Sequence, residues 1–479
     1  GIKLKKLRPV PELEELIESI DISDANYEKA TNRYYSIVDY ISDSELSNYR
    51  PDIFLQGSIK LGTAIKPLTN DGNYDVDIVC NFTGKHMLEQ SQEDLKNLLG
   101  KYIKSYMQKH SMKKEPYNGN RCWTIEYSDD VNFHVDILPS VPYGDSQSDN
   151  IAITDKRHHD FNNLSNSWEI SNPKGYYKWF RAQSNFEHYK EEYKRLNQIF
   201  EEFPEYTIKT PLQRIVQLLK RHAEVCFENE LEYKPSSIII TTLAAKSYQK
   251  VVSKSETFEE LLENVILHLI EGIDNDSTNR KCVLNPVNEK ENLSTKWSED
   301  ERYFKKFLYW LEQLYSDFST NIEFSDSMKM FYIRRSIDNK NFNIGIDLKE
   351  LSYYEKSEWS ESLILPISIS AFFRQDNTRK RIKSGEVISK NGDVDFELIG
   401  NFPPTYDIYW KVTNTGMEAT NANCLRGNYF KGKRFLKEKT SYFGRHYVEA
   451  YIVSNNICYG KTIPFEVNIT NTFLSGLIN

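Results

Sequence analysis

The stretch Tyr74-Asp75-Val76-Asp77-Ile78-Val79-Cys80 alternates well enough to form a strand, and its reading decides the fold. Residues two apart on an extended strand share a face, so Asp75 and Asp77 project together while Val76 turns into packing. Upstream lies Phe54-Leu55-Gln56-Gly57-Ser58. Its Gly-Ser turn can offer backbone N–H groups and a hydroxyl to phosphate oxygens. Downstream, Phe133-His134-Val135-Asp136-Ile137 is a further strand with a third carboxylate. Three carboxylates on neighbouring strands repel one another unless cations sit among them. Oxygen-only ligands beside a polyphosphate favour Mg²⁺, with Mn²⁺ as a substitute. The combination points to nucleotidyl transfer from NTP substrates. An Asp-x-Asp pair alone also suits a solvent-facing sheet edge; its coupling to Gly57-Ser58 and Asp136 is what argues for chemistry.

Working outward, residues 11 to 47 read as helical, with Pro11 in a first turn and Tyr27, Ala30, Tyr34, Val38 and Ile41 three or four apart. Residues 55 to 64 carry the turn and a short helix. Lys85 to Met107 reads as a helix with Leu88, Leu95, Leu99 and Ile103 on one face. Arg121 to Tyr127 and Asn132 to Leu138 read as strands around a Ser128-Asp129-Asp130 turn, after which Pro139 and Pro142 are expected to end the sheet. No Walker-type glycine loop leading to lysine and hydroxyl residues is present. From about 196 to 325 the pattern is mostly helical, led by Pro211 to His222 with Leu212, Ile215, Val216, Leu219 and Ala223 on a buried face. Residues 326 to 362 read as a linker or cap. Beyond Leu363 the period becomes two, with turns at Asn391-Gly392, Asn414-Thr415-Gly416 and Asn455-Asn456, which argues a β-sandwich.

The expected architecture is α+β: a catalytic lobe with N-terminal helices over 1–195, a helical nucleotide-binding lobe over 196–350, a linker over 351–362 and a β-sandwich over 363–479. At 479 residues, two or three domains are expected. Hydrophobic residues at 39% and charged residues at 27% mark a soluble globular chain. The formal charge of -8 argues against a stable duplex nucleic acid partner, although local lysines suffice for a nucleotide pocket. No window approaches a membrane span, and the start lacks the apolar run of a signal peptide. Six cysteines without a CxxC pair read as reduced thiols, so a cytoplasmic protein is expected.

The run Phe54 to Ser58, the Asp75-x-Asp77 pair and Val135-Asp136 resemble the polymerase-β-like nucleotidyltransferases. The surrounding sequence is similar to the bacterial cyclic-oligonucleotide synthases, relatives of cyclic GMP-AMP synthase and oligoadenylate synthase that act in phage defence. Trp168 through Ser171-Asn172-Pro173-Lys174-Gly175-Tyr176 to Trp179-Phe180, and Pro211-Leu212-Gln213-Arg214 with Leu219-Lys220-Arg221-His222, carry that similarity. Asp407 to Gly416, with Arg426-Gly427, resembles the C-terminal sensor domain found beside adenylyl/guanylyl cyclases and such synthases. The resemblance implies a bilobed enzyme that makes a cyclic di- or trinucleotide and releases pyrophosphate. It further implies a phage-derived or protein activator at the C-terminal domain, and a downstream effector that binds the product. Linear oligomers and a non-catalytic ligand sensor are the alternatives.

Within that frame Asp75, Asp77 and Asp136 hold the metals, with Asp136 on the ion that activates the incoming hydroxyl. Gly57 permits close phosphate approach and Ser58 donates to the β- or γ-phosphate. The resembling enzymes grip the triphosphate with a helical lysine and a following serine, matched here by Lys220 and Ser237. Lys60 reads either as a phosphate contact or as a solvent-facing lysine. His158-His159-Asp160 lacks metal-site spacing and reads as a loop or substrate-channel element. Trp168, Tyr176 and Trp179 read as base-pocket or packing residues, and one of Tyr353-Tyr354 could stack on a base.

Overall fold

Pro11 opens α1 (Pro11–Ile20), where its missing N–H costs nothing. Ser23 caps α2 (Asp24–Ser42), its Oγ accepting the Asn26 N–H at 3.2 Å. The computed structural model describes residues 7–69, 72–128, 131–318, 359–389, 391–414, 429–441 and 444–470. The chain divides into two compact units. The first comprises Gly1–Arg221, Ser236–Leu261 and Glu271–Thr295; the second comprises His222–Pro235, Leu262–Ile270 and Lys296–Asn479. Tyr353-Tyr354 and Arg426-Gly427 lie outside the described residues.

The first unit continues with β1 (Pro51–Gln56), α3 (Gly57–Leu61), β2 (Tyr74–Phe82), α4 (Gln92–Lys109), β3 (Tyr117–Asn118), β4 (Trp123–Ser128), β5 (Asn132–Pro142), β6 (Ile151–Ile153) and β7 (Glu169–Ser171). These strands form a mixed sheet in the order β1-β2-β5-β4-β3, extended by β6 on β5 and β7 on β6. Only the β2–β5 pairing is parallel among them. One face of the sheet supplies Val76, Ile78, Ile125, Val135 and Ile137 to a core shared with Leu95, Leu99 and Ile103 of α4 and Ile37 and Ile41 of α2. Burial of that face fixes the strand register, because a slip of one residue would send the carboxylates inward.

Two expectations from the sequence do not hold. The helix expected from Lys85 begins only at Gln92, because the Ser91 hydroxyl accepts the Asp94 N–H at 3.1 Å and sets the cap; Leu88 precedes it and is 54% exposed. Pro139 does not end the strand, since β5 runs through it and stops only at Pro142. Pairing with β4 stops at Ile137 and pairing with β6 starts at Ser140, so the missing N–H of Pro139 falls where that edge changes partner.

Next come α5 (Pro173–Gln183), α6 (Phe186–Leu196), α7 (Pro211–Cys226), α8 (Ser237–Val251) and α9 (Phe258–His268). Leu212, Ile215, Val216, Leu219 and Ala223 of α7 are all fully buried, as the sequence pattern predicts. The mostly helical stretch also contains two small antiparallel pairs, β8 (Asp274–Asn275) with β9 (Lys281–Cys282) and β10 (Leu284–Asn285) with β11 (Asn288–Asn292).

After α10 (Thr295–Glu299) and α11 (Glu301–Phe318), the second unit carries β12 (Ser360–Glu361), β13 (Ser368–Gln375), β14 (Thr378–Ile382), β15 (Val387–Ser389), β16 (Asp393–Ile399), β17 (Asp407–Asn414), β18 (Tyr429–Gly432), β19 (Phe435–Lys439), β20 (Gly444–Ser454), β21 (Ile457–Lys461) and β22 (Phe465–Thr470). One sheet runs β14-β13-β16-β19 and the other β12-β21-β20-β17-β18, with β22 on β20 and β15 on β22. Ala371, Val394 and Phe396 from the first sheet share one core with Trp410, Ala450 and Ile452 from the second, which is the expected sandwich. Asn455 and Asn456 both have positive φ and join β20 to β21 in a two-residue turn. The α+β class with a β-sheet-rich C-terminal domain holds.

Candidate active site

The parallel register sets Asp75 beside His134 and Asp77 beside Asp136. On the other side of β5, antiparallel β4 sets Thr124 beside Asp136 and Glu126 beside His134. Partners in register share a face, so Asp75, Asp77, His134, Asp136, Thr124 and Glu126 all stand on the side of the sheet opposite the main core. Asp75 is exposed, while Asp77 and Asp136 are half-buried. One step along the same face the residues become apolar: Val79 and Leu138 are buried with Ile151 and Ile153. The carboxylates therefore sit between an apolar floor and solvent.

That position has an electrostatic cost. Burial, then the neighbouring Asp136 and Asp75 carboxylates, push Asp77 up from 3.8 to about 7, with Lys220 acting against them. The Thr124 hydroxyl donates to Asp136 Oδ1 at 2.5 Å and orients that carboxylate. Gly57 follows Gln56, the register partner of Asp77, and has φ +68°. A Cβ on Gly57 would fall onto the Asp77 carboxylate, so only glycine leaves the space around it open. Among the described residues, no three His, Cys, Asp or Glu side chains close into a metal-holding set. The donor chemistry nevertheless suits a hard cation: oxygen ligands only, mutually repelling, one of them held near neutral pH by its neighbours.

The segment behind Gly57-Ser58 is held by a polar ladder on α7. Gln213 Nε2 donates to the Leu61 carbonyl at 2.9 Å, Gln217 Nε2 to Ala64 at 3.0 Å, and Lys220 Nζ to Thr63 at 2.9 Å. Arg221 donates to the Lys66 carbonyl. These four are buried although they read as a helix's polar side, and Lys220 is only 8% exposed. The ladder fixes Lys220 close enough to Asp77 for its charge to act there. Ser237 is exposed at the start of α8.

Other sequence candidates are placed elsewhere. Lys60 lies 4.4 Å over the Tyr177 ring and lines a cavity of about 350 Å³ together with Arg181 and Glu205. None of Ser58, Asp75, Asp77, Asp136 and Lys220 lines that cavity. His158 uses both ring nitrogens in its own loop, contacting the Ser167 carbonyl at 2.7 Å and the Asp160 N–H at 3.1 Å. Trp168 is a core residue, and Tyr176 is buried with its hydroxyl 2.7 Å from Thr242 Oγ1.

Residues 9–185 match the Second Messenger Oligonucleotide or Dinucleotide Synthetase domain, and residues 349–470 match the Adenylyl/Guanylyl and SMODS C-terminal sensor domain. A c-di-GMP synthase of Roseivirga ehrenbergii is 30% identical over 312 residues, spanning 64% of this chain and 77% of that protein. The chain belongs to the second messenger oligonucleotide or dinucleotide synthetase family. It is a nucleotidyltransferase that makes a cyclic nucleotide second messenger. A cyclic GMP-AMP synthase of Escherichia albertii is 22% identical over 474 residues, 95% of this chain and 94% of that one. The fold is also that of the Bradyrhizobium diazoefficiens CD-NTase CdnG solved with GTP, at TM-score 0.51 and 19% identity over 69% of this synthetase and 95% of that chain. Membership of the family carries a Mg²⁺-dependent mechanism. No described helix of the synthetase is long and apolar enough to cross a membrane.

Proposed function

We propose that this synthetase joins NTPs through Asp75, Asp77 and Asp136, closing a cyclic di- or trinucleotide in antiphage defence. The observation that supports it is the in-register Asp77–Asp136 pair beside a glycine that cannot be replaced without striking Asp77. The three aspartates would hold Mg²⁺, or Mn²⁺ in its place. When bound, the metal supplies activation of the attacking ribose hydroxyl and charge neutralisation at the phosphates. Asp136, oriented by Thr124, receives the hydroxyl end of the reaction. Gly57 leaves room for the phosphates and the Ser58 hydroxyl donates to them. Lys220 and Ser237 bind the triphosphate, with the α7 ladder keeping Lys220 in position. In this reading the enzyme is cytoplasmic, the C-terminal sandwich receives a phage-derived or protein activator, and an effector reads the product.

Product analysis tests this. Purified protein incubated with the four NTPs and Mg²⁺ is expected to give a phosphatase-resistant product whose mass equals the summed nucleoside monophosphates less one water per linkage. A phosphatase-sensitive ladder would replace ring closure with linear synthesis.

A further inference from the structure

The second unit contains a cluster that nucleotidyl transfer does not use. His222 and Cys226, four residues apart on α7, share a helical face. His222 is 0% exposed, whereas Cys226 is exposed. His222 Nε2 lies 2.6 Å from Asp317 Oδ2 on α11, and Gln313 Nε2 donates to the other Asp317 oxygen at 3.1 Å. His222 Nδ1 faces Cys226 Sγ at 3.4 Å. It also accepts the indole N–H of Trp310 at 3.0 Å.

These contacts settle the tautomer. An indole nitrogen only donates, so Nδ1 carries the lone pair and the ring proton sits on Nε2, donated to Asp317. The lone pair is therefore the group presented to the thiol. A carboxylate on the far nitrogen stabilises the imidazolium formed when the near one takes a proton. Burial opposes charge on His222, whereas Cys226 and Asp317 favour it and raise the basicity of the ring. Trp310 works the other way, because its N–H occupies the lone pair that would accept the proton.

We propose that Cys226, with His222 as base and Asp317 orienting it, is a nucleophilic thiol and a covalent modification site for soft carbon electrophiles. With an alkyl iodide, the S–C bond forms as the C–I bond breaks. The thiol proton passes to His222 Nδ1, and iodide leaves. A buried His–Asp pair serving packing alone would leave Cys226 as reactive as any exposed cysteine, so reactivity separates the two readings.

The test is timed carbamidomethylation of the full-length protein with iodoacetamide at neutral pH, read at Cys226 by peptide mass spectrometry. The reference is the same residue in the chain unfolded by urea. Native Cys226 is expected to react on the order of tenfold faster than that reference. His222→Gln should remove the advantage, and Trp310→Phe, which frees the lone pair, should increase it; melting curves establish that each variant is folded. A native rate no higher than the unfolded rate overturns the proposal. So does a folded His222→Gln at the wild-type rate, or a folded Trp310→Phe that is slower than wild type. If His222→Gln does not fold, the native-to-unfolded comparison decides alone.

Discussion

Asp77 on β2 and Asp136 on β5 stand opposite one another in a parallel pairing, and a Cβ on Gly57 would strike the first of them. In this sheet the β2–β5 pair is the parallel one, so two strands distant in sequence deliver their carboxylates to one point from the same direction. Repulsion between them is built into the register. It is tolerated because the opposite face of both strands is fully buried.

A pH dependence follows for the metal-free protein. Burial and neighbouring carboxylates raise Asp77 from 3.8 to about 7, so between those values the native state keeps a proton that the unfolded state has lost. Stability must then fall as pH rises through that window. Thermal melts in chelator from about pH 4 to about pH 8 should show this decline, and Asp77→Asn should flatten it and melt higher at the alkaline end. Added Mg²⁺ should restore wild-type stability. An unchanged slope in the variant would remove the electrostatic explanation.

Gly57→Ala should fail for two reasons that can be measured apart. Its φ of +68° is costly for alanine, by about 1 kcal/mol of stability. Its methyl group would also displace the Asp77 carboxylate, lowering kcat by on the order of a hundredfold. Denaturant unfolding and turnover, measured side by side, give the two effects. Wild-type turnover in this variant would show that the space beside Asp77 is not used.

Ser58→Ala and Lys220→Ala should weaken ATP binding more than adenosine binding, since both residues are assigned to phosphates. Calorimetric titration gives the comparison. Equal losses for both ligands would return Lys220 to a purely structural role, holding the Thr63 carbonyl.

The C-terminal sandwich should not be removable without consequence. α11 packs on β20 and β22, and Phe307, Leu308, Trp310, Leu314 and Phe318 of that helix are buried. Truncation after residue 358 should leave an apolar helix face uncovered and give aggregated protein by size-exclusion chromatography. A monomeric truncation with full turnover would argue against this packing being needed.

Strand periodicity of two made part of the site legible: spacing alone puts Asp75 and Asp77 on one face of β2, and His134 and Asp136 on one face of β5. That these faces coincide, and that Thr124 joins them, depends on how β2, β5 and β4 are registered, which no local pattern encodes. Lys220 reads as a phosphate contact, but no local pattern shows that Gln213, Gln217, Lys220 and Arg221 are buried together. Burial is possible because main-chain carbonyls of Leu61, Thr63, Ala64 and Lys66 each accept a hydrogen bond from one of them. In the sandwich, β14 escaped detection because Thr378, Arg379, Lys380 and Arg381 are all exposed on an edge strand and show no alternation. Pro139 misled for a related reason: whether proline breaks a strand depends on which edge is paired at that residue.

The three-aspartate chemistry is tested most sharply by incorporation of labelled ATP and GTP by wild type and by Asp77→Asn and Asp136→Asn, with Mg²⁺ and with pyrophosphate release followed in parallel. The wild type should give product and pyrophosphate, and neither variant should give either, although both remain folded. Substantial product from a folded Asp77→Asn or Asp136→Asn would contradict the assignment.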